Sequence, residues 1–254
     1  MRRTAVVTGA ARGLGRTIAH RLRDAGHQVV LTGRDKDALA EAAAALDPSG
    51  TDTLAVPCDI RDEDSVRDLM ATVVERFGRI DVLVNNSGIA GPTAPLWETA
   101  ADEWWQTLET NVFGTFLCCR AVLPVMITQG AGSIITIGSM TGKRPLLGRT
   151  GYAASKTALI GLTRTLALEA GPYGVLVNLI SPGPLDGDRI RRVFAAQAAS
   201  RGITEEQARM EMVSDSPLGR LVPAEDVAEA VVFLAGAASV TGEDLNVSGG
   251  IVTY

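Results

Sequence analysis

The chain has 254 residues, 46% of them hydrophobic and 21% charged, enough to bury one large core, and its net charge of −5 gives no basic surface for nucleic acid or an anionic membrane. Three cysteines, Cys58, Cys118 and Cys119, form neither a CxxC pair nor an even disulfide framework, which fits structural thiols in a reducing, cytoplasmic compartment. The only two histidines, His20 and His27, leave almost no material for a zinc site or a Ser-His-Asp triad, so no metal is expected and any catalytic base is another residue.

The opening "MRRTAVVTGAARGLG" is interrupted by glycines and an arginine, so it is no signal peptide, and no stretch approaches a membrane span. "TAVVT" (4–8) reads as a first strand, with glycines at 9, 13 and 15 leading into a helix over 13–25. "QVVLT" (28–32) is a second strand, followed by Gly33, Arg34 and then Asp35 as N-cap of a helix to residue 46. Strand 53–56 leads through Asp59 to a helix over 62–77, and strand 80–86 ends in Asn85 and Asn86. A long helix over 102–128, strand 133–139, a helix over 150–171 and strand 175–181 follow. About thirty helix-prone residues then intervene between "SPGP" and "SPLG", before a helix over 223–236 and strand 244–249. The strand runs are continuously apolar, as in strands buried on both faces. This alternation predicts a single α/β domain, doubly wound, with a predominantly parallel seven-stranded sheet and helices on both faces. The insertion at about 184–216 falls at the carboxyl edge of the sheet, where two short helices would form a lid.

Three glycines between a strand and a helix permit close approach of a pyrophosphate to main-chain N–H groups at the helix start. A ribose 2′-hydroxyl is usually held by a carboxylate at the end of the second strand. Arg34 stands there instead, and Arg12 lies within the glycine turn. The pair favours a 2′-phosphate and hence NADP(H), with NAD(H) as the alternative if both arginines are merely solvated. Tyr152 and Lys156 share one helix face at i and i+4. A phenol is a poor proton carrier at neutral pH unless a neighbouring cation favours its anion. Ser139 ends a strand where it can donate to a substrate oxygen, and Asn111 lies in mid-helix, where its propensity is poor.

"TGAARGLG" (8–15), "CDI" with Asp59, "NNSG" (85–88), Asn111, Ser139, "YAASK" (152–156) and "SPG" (181–183) occur in order, with Ser139 thirteen residues before Tyr152. The sequence thereby resembles the classical short-chain dehydrogenases/reductases over nearly its whole length. That resemblance implies a Rossmann fold and an NAD(P)-dependent oxidoreductase interconverting a carbonyl and an alcohol, a ketone reductase or alcohol dehydrogenase. It implies Tyr152 as general acid/base, Lys156 lowering its pKa and holding ribose, Ser139 on the substrate oxygen and Asn111 anchoring a water. It places Gly9, Arg12, Gly13, Leu14, Gly15, Arg34, Asp59, Ile60, Asn86, Gly88, Tyr152, Lys156, Pro182 and Gly183 against the cofactor. Asp59 would bind the adenine amino group, although the residues alone equally allow it to cap helix 62–77.

The chain departs from its family at several points. Ser87 replaces an alanine, and Gly187 replaces a threonine that contacts the cofactor. Gly130 and Tyr173 stand where reductases of 3-oxoacyl groups on acyl carrier protein commonly carry docking arginines, so that activity is the runner-up, with a non-catalytic dinucleotide sensor behind it. Arg189, Arg191 and Arg192 would recognise an acidic substrate or form a solvated helix face. Relatives pair through helices like 102–128 and 150–171, so a homotetramer or homodimer acting on a small molecule is expected. Trp104 and Trp105 would serve core or interface packing.

Overall fold

The computed structural model describes residues 2–254, apart from the side chains of residues 188 and 189. Its strands are β1 (Thr4–Thr8), β2 (Gln28–Gly33), β3 (Thr53–Pro57), β4 (Val82–Asn85), β5 (Gly132–Ile137), β6 (Val175–Pro182) and β7 (Asp244–Val247). They form one sheet in the order β3-β2-β1-β4-β5-β6-β7. Each neighbouring pair is parallel, so the sheet is wholly rather than predominantly parallel.

The continuous apolar runs are explained by burial on both sides. In β1, Ala5 and Val7 face one core layer with Ile18 and Leu22 of α1 (Gly13–Asp24), Leu39 and Ala42 of α2 (Lys36–Leu46) and Val227 and Val231 of α9 (Ala224–Gly236). Val6, between them, faces Leu69 and Val73 of α3 (Glu63–Phe77) and, further along that layer, Leu117 and Val122 of α5 (Gly114–Gln129) and Leu166 of α6 (Thr150–Ala170). Each fully buried leucine in these layers is worth about 2–3 kcal/mol of transfer free energy. Asp35 caps α2 by accepting from Ala38 N at 3.1 Å, as its position before the helix predicts. Asp62, not Asp59, caps α3, accepting from Asp64 N at 2.9 Å and Ser65 N at 3.1 Å.

Two boundaries differ from the sequence reading for identifiable reasons. β4 begins at Val82 because the Asp81 carboxylate turns back onto Thr4 N at 2.8 Å and pairs with Arg79. The long helix is α4 (Ala101–Leu108) and α5 joined by a π-helical turn, Glu109–Phe113, which widens the backbone around Asn111. Spliced in this way, Ala101–Gln129 is a 29-residue helix of mean hydropathy 1.5 over its most apolar stretch. By length and composition it is apolar enough to cross a membrane, contrary to the expectation from sequence; here Leu117, Cys118, Val122 and Met126 bury its inner side against the sheet.

From β1 the chain winds outward to β2 and β3, and from β4 outward to β7. The carboxyl ends of β1 and β4 therefore mark the switch point, where parallel sheets open a crevice. After β6 the chain forms α7 (Asp188–Arg201) and α8 (Glu205–Ser214), the latter opened by a capping box between Thr204 and Gln207. Phe194 packs with Ala208 and Met212, and Leu146, from the loop before α6, joins that small cluster.

Candidate active site

At the switch point the end of β1 is stitched to the end of β4. Thr8 Oγ1 accepts from Asn86 N at 3.0 Å and from Ser87 N at 2.9 Å, and donates to Val84 O at 3.4 Å, so its whole hydrogen-bonding capacity is used. Asn86 Nδ2 donates to Thr8 O at 2.8 Å and Gly9 O at 3.3 Å. A Cβ on Gly15 would press into the Gly9 carbonyl oxygen and lie 2.5 Å from Asn86 Nδ2. Gly9 and Gly13 hold φ values of +66° and +55°, which side chains rarely adopt. Arg12 precedes α1 with no side-chain cap and the first turn carries no acid, so the N–H groups there face outward unopposed. A diphosphate fits this cradle: narrow glycine walls, exposed donors and the positive helix end.

Leu14 is half-buried against the core, and the Ile60 side chain is buried beneath Gly114, whose own Cβ would meet Ile60 Cδ1 at 2.6 Å. Asn85 turns inward, its amide 3.3 Å from Cys119 Sγ and 3.4 Å from Thr136 Oγ1. Arg12 and Arg34 are both exposed. Asp59 is held by Arg61 through Nε at 3.0 Å and Nη2 at 2.6 Å, and Arg61 also reaches Glu109 at 3.4 Å. That hydrogen-bonded guanidinium depresses the Asp59 pKa, with a smaller contribution from the charge of Arg34. Pro182 pairs with Val247 at the end of β6, and Gly183 lies so close to Ser248 that a Cβ would come within 2.9 Å of its Cα.

Four side chains converge beyond the glycine turn. Lys156 is buried and its ammonium donates to Ile137 O at 2.8 Å, at the end of β5, while standing 5.7 Å from the centre of the Tyr152 ring. Asn111 Oδ1 accepts from Ile89 N at 2.8 Å, and its Nδ2 donates to Ile89 O and to Ser155 Oγ, each at 3.0 Å. Gly88 lies between them: a Cβ there would be 3.0 Å from Asn111 Oδ1 and 3.7 Å from Lys156 Nζ. Ser139 lies two residues past β5 and accepts from Thr141 N at 3.2 Å, which leaves its own hydrogen to donate elsewhere. The turn it caps packs on α6, since Thr157 Oγ1 donates to Gly142 O at 2.8 Å. The small residues around Tyr152 have a use: Gly151 admits Trp104, whose Cδ1 would be 2.9 Å from a Cβ. Trp105 is exposed.

Sequence reading missed four contributors. Thr8 and Ser155 lie inside the quoted motifs without a role assigned to them, and Arg61 and Arg149 lie outside every motif; Thr8, Ser155 and Arg149 each tie together segments distant in sequence. Arg191 and Arg192 are exposed on α7; the Arg189 side chain lies outside the described residues.

Comparison with known proteins fits this geometry. A family model described as Enoyl-(Acyl carrier protein) reductase matches residues 9–252. The granaticin polyketide synthase putative ketoacyl reductase 1 of Streptomyces violaceoruber is 36% identical over 254 residues, covering 98% of this chain and 93% of that protein. Among solved structures, an actinorhodin polyketide ketoreductase variant with NADPH superposes with a TM-score of 0.94 at 35% identity, covering 100% of this chain and 98% of the other. NAD+-bound xylitol dehydrogenase superposes equally, with a TM-score of 0.94 at 32% identity and 98% coverage of both chains.

Proposed function

We propose that this chain, which belongs to the short-chain dehydrogenase/reductase family and is an oxidoreductase acting on CH–OH and C=O groups, is an NADP(H)-dependent ketone reductase. The observation that carries the proposal is the buried Lys156 ammonium beside the Tyr152 ring at the carboxyl edge of the sheet. The dinucleotide, when bound, supplies or accepts the hydride. Tyr152 gives its phenolic proton to the carbonyl oxygen in reduction and takes it back in oxidation. Lys156 steadies the negative charge that the phenol then carries. Ser139 donates its free hydrogen to the same substrate oxygen. Asn111 fixes the Ile89 backbone and the Ser155 hydroxyl, which in turn donates to Tyr152 O at 2.7 Å.

Gly9, Gly13, Gly15, Asn86, Gly88, Pro182 and Gly183 would hold the cofactor's phosphates and its inner end, and Asp59 its adenine. Arg12 and Arg34 support the 2′-phosphate: both are exposed near the glycine turn, and no carboxylate ends β2. One structural neighbour holds NADPH and another NAD+, so the preference rests on these two arginines. The polyketide ketoreductases among its relatives support a bulky ketone or 3-oxoacyl thioester as substrate. α7 and α8 would close over it as a lid within one Rossmann domain. Exposed Phe113, Phe116 and Leu168 on the π turn, α5 and α6, and Phe233 and Leu245 on α9 and β7, leave two apolar surfaces, which supports a homotetramer.

The test is turnover of NADPH and of NADH against a panel holding a 3-oxoacyl thioester, cyclic diketones, an aromatic ketone and a keto sugar. Turnover favouring NADPH, lost in Tyr152→Phe with NADPH binding retained, is the expected result. Binding without turnover of any panel member, unchanged in Tyr152→Phe, would point to a dinucleotide sensor.

A further inference from the structure

Arg149, the residue before α6, is buried. Its Nη1 donates to Thr93 Oγ1 at 3.0 Å and its Nη2 to Ala90 O at 2.9 Å. Its Cζ stands 4.9 Å from the centre of the Tyr152 ring, within the range of a cation–π contact. One guanidinium therefore touches the loop after β4 and the ring of the proton donor. A second link between the same segments is Ala94 N donating to Gly148 O at 3.1 Å. The loop is tight, since Gly91 has φ of +65° and a Cβ there would strike Thr107 Oγ1. It includes Ile89, the residue whose N–H and C=O are both held by Asn111.

An arginine is rarely buried without a task, because its desolvation is costly. Arg149 has no acceptor with which to cap α6 and makes no side-chain cap bond there. We infer that Arg149 is a positioning residue for Tyr152: it fixes the plane of the phenol ring and locks it in register with the segment 89–93 that Asn111 holds. The inference rests on the assignment of Tyr152 as proton carrier given above. The ring has two soft torsions, and a planar cation lying against it removes much of that freedom. Lys156 is less able to do this, because its ammonium also donates to Ile137 O at the end of β5 and stands farther from the ring, at 5.7 Å. A ring that wanders by about 1 Å would lose on the order of a hundredfold in rate without weakening cofactor binding.

The experiment uses Arg149→Met, which keeps the stem and removes the fork, with Arg149→Lys and Thr93→Val beside it. Arg149→Met is expected to lower kcat at least tenfold with NADPH affinity unchanged. Arg149→Lys, which keeps a cation but not the bridge, should recover part of the rate, and it decides the matter if Arg149→Met does not fold. Thr93→Val, which removes one loop bond and leaves the cation on the ring, should cost threefold or less. Fluorotyrosine NMR gives a readout independent of turnover: of three tyrosine signals, the one lost in Tyr152→Phe should shift in Arg149→Met while the other two stay. A kcat for Arg149→Met within threefold of the wild type, or an unmoved Tyr152 signal, would overturn the inference. An active Tyr152→Phe enzyme would instead overturn the assignment of Tyr152 on which it rests.

Discussion

Asn111→Ala removes a buried tie between three segments of the chain. The native amide makes three hydrogen bonds within a site where Asn111 is 1% exposed: from Ile89 N at 2.8 Å, to Ile89 O at 3.0 Å and to Ser155 Oγ at 3.0 Å. Each bond contributes about 1 kcal/mol net, and the two Ile89 main-chain groups left behind carry a desolvation cost of similar size. A total of about 5 kcal/mol follows, before any relaxation that lets water in. For a chain of this length each kcal/mol lowers Tm by about 2–4 °C, so a fall of about 10–20 °C is expected. Asn111→Asp should be no milder despite its matching shape. Its second oxygen would face the Ile89 carbonyl, two acceptors with no proton between them, and Ser155 could answer it only by releasing Tyr152 O. Calorimetric melting of the cofactor-free protein tests this without reference to turnover. A Tm for Asn111→Ala within 2 °C of the wild type would refute the reasoning, since it would mean that the π turn is not held by this side chain.

Gly15→Ala must displace either the Gly9 carbonyl or the Asn86 amide, so cofactor affinity measured by fluorescence should fall at least tenfold while Gly26→Ala, in a distant turn with no neighbour within 4 Å of a Cβ, costs only its positive-φ strain. All three cysteines are buried and burial raises their pKa values, that of Cys119 to about 12; a thiol reagent at pH 8 should count none in the native protein and three after unfolding in guanidinium. Burial lowers the His27 pKa, aided by the charge of Arg3 and opposed by Asp81. The unfolded chain then binds more protons than the folded one, so stability contributed by His27 is complete above its ordinary pKa of 6.5 and is lost as pH falls below that value. Urea midpoints at pH 7.5 and 5.5 should converge in His27→Gln; an unchanged gap would assign the acid lability elsewhere. The Asp59 pKa is also depressed, by Arg61, and loss of that contribution should begin only as pH falls below the usual carboxylate range, so the two groups separate on the pH axis.

The alternation of strand and helix was readable because each element buries itself locally. Val6 and its neighbours are apolar on both sides since both sides meet helices, and Asp35 caps α2 from a position one residue before it. The glycine turn was readable for a related reason: only glycine fits where Gly15 meets Gly9, and such a requirement writes itself into the sequence. Helical spacing puts Tyr152 and Lys156 on one face, and it is the family resemblance, with Ser139 and Asn111 in order, that gives them roles.

What could not be read depends on contacts between distant segments. The helix over 102–128 has no breaker at residue 109, and Pro124 lies inside α5 well past the turn. The π turn exists because Asn111 finds a better partner in Ile89, twenty-two residues earlier, than in its own helix. At Asp59 the contacts are local: Arg61 binds its carboxylate and Asp62 takes the cap of α3. Arg149 shows the limit most clearly. Its spacing of three from Tyr152 marks only a helix face, and its significance lies in Ala90 and Thr93, which the sequence places nearly sixty residues away. The groups that would do chemistry here sit on rigid elements and carry recognisable spacing. Those that hold them in place sit at loop ends, where one buried hydrogen-bonding fork replaces a stretch of regular structure. Substitutions at the second kind of residue should therefore alter kcat while leaving every motif of the chain intact.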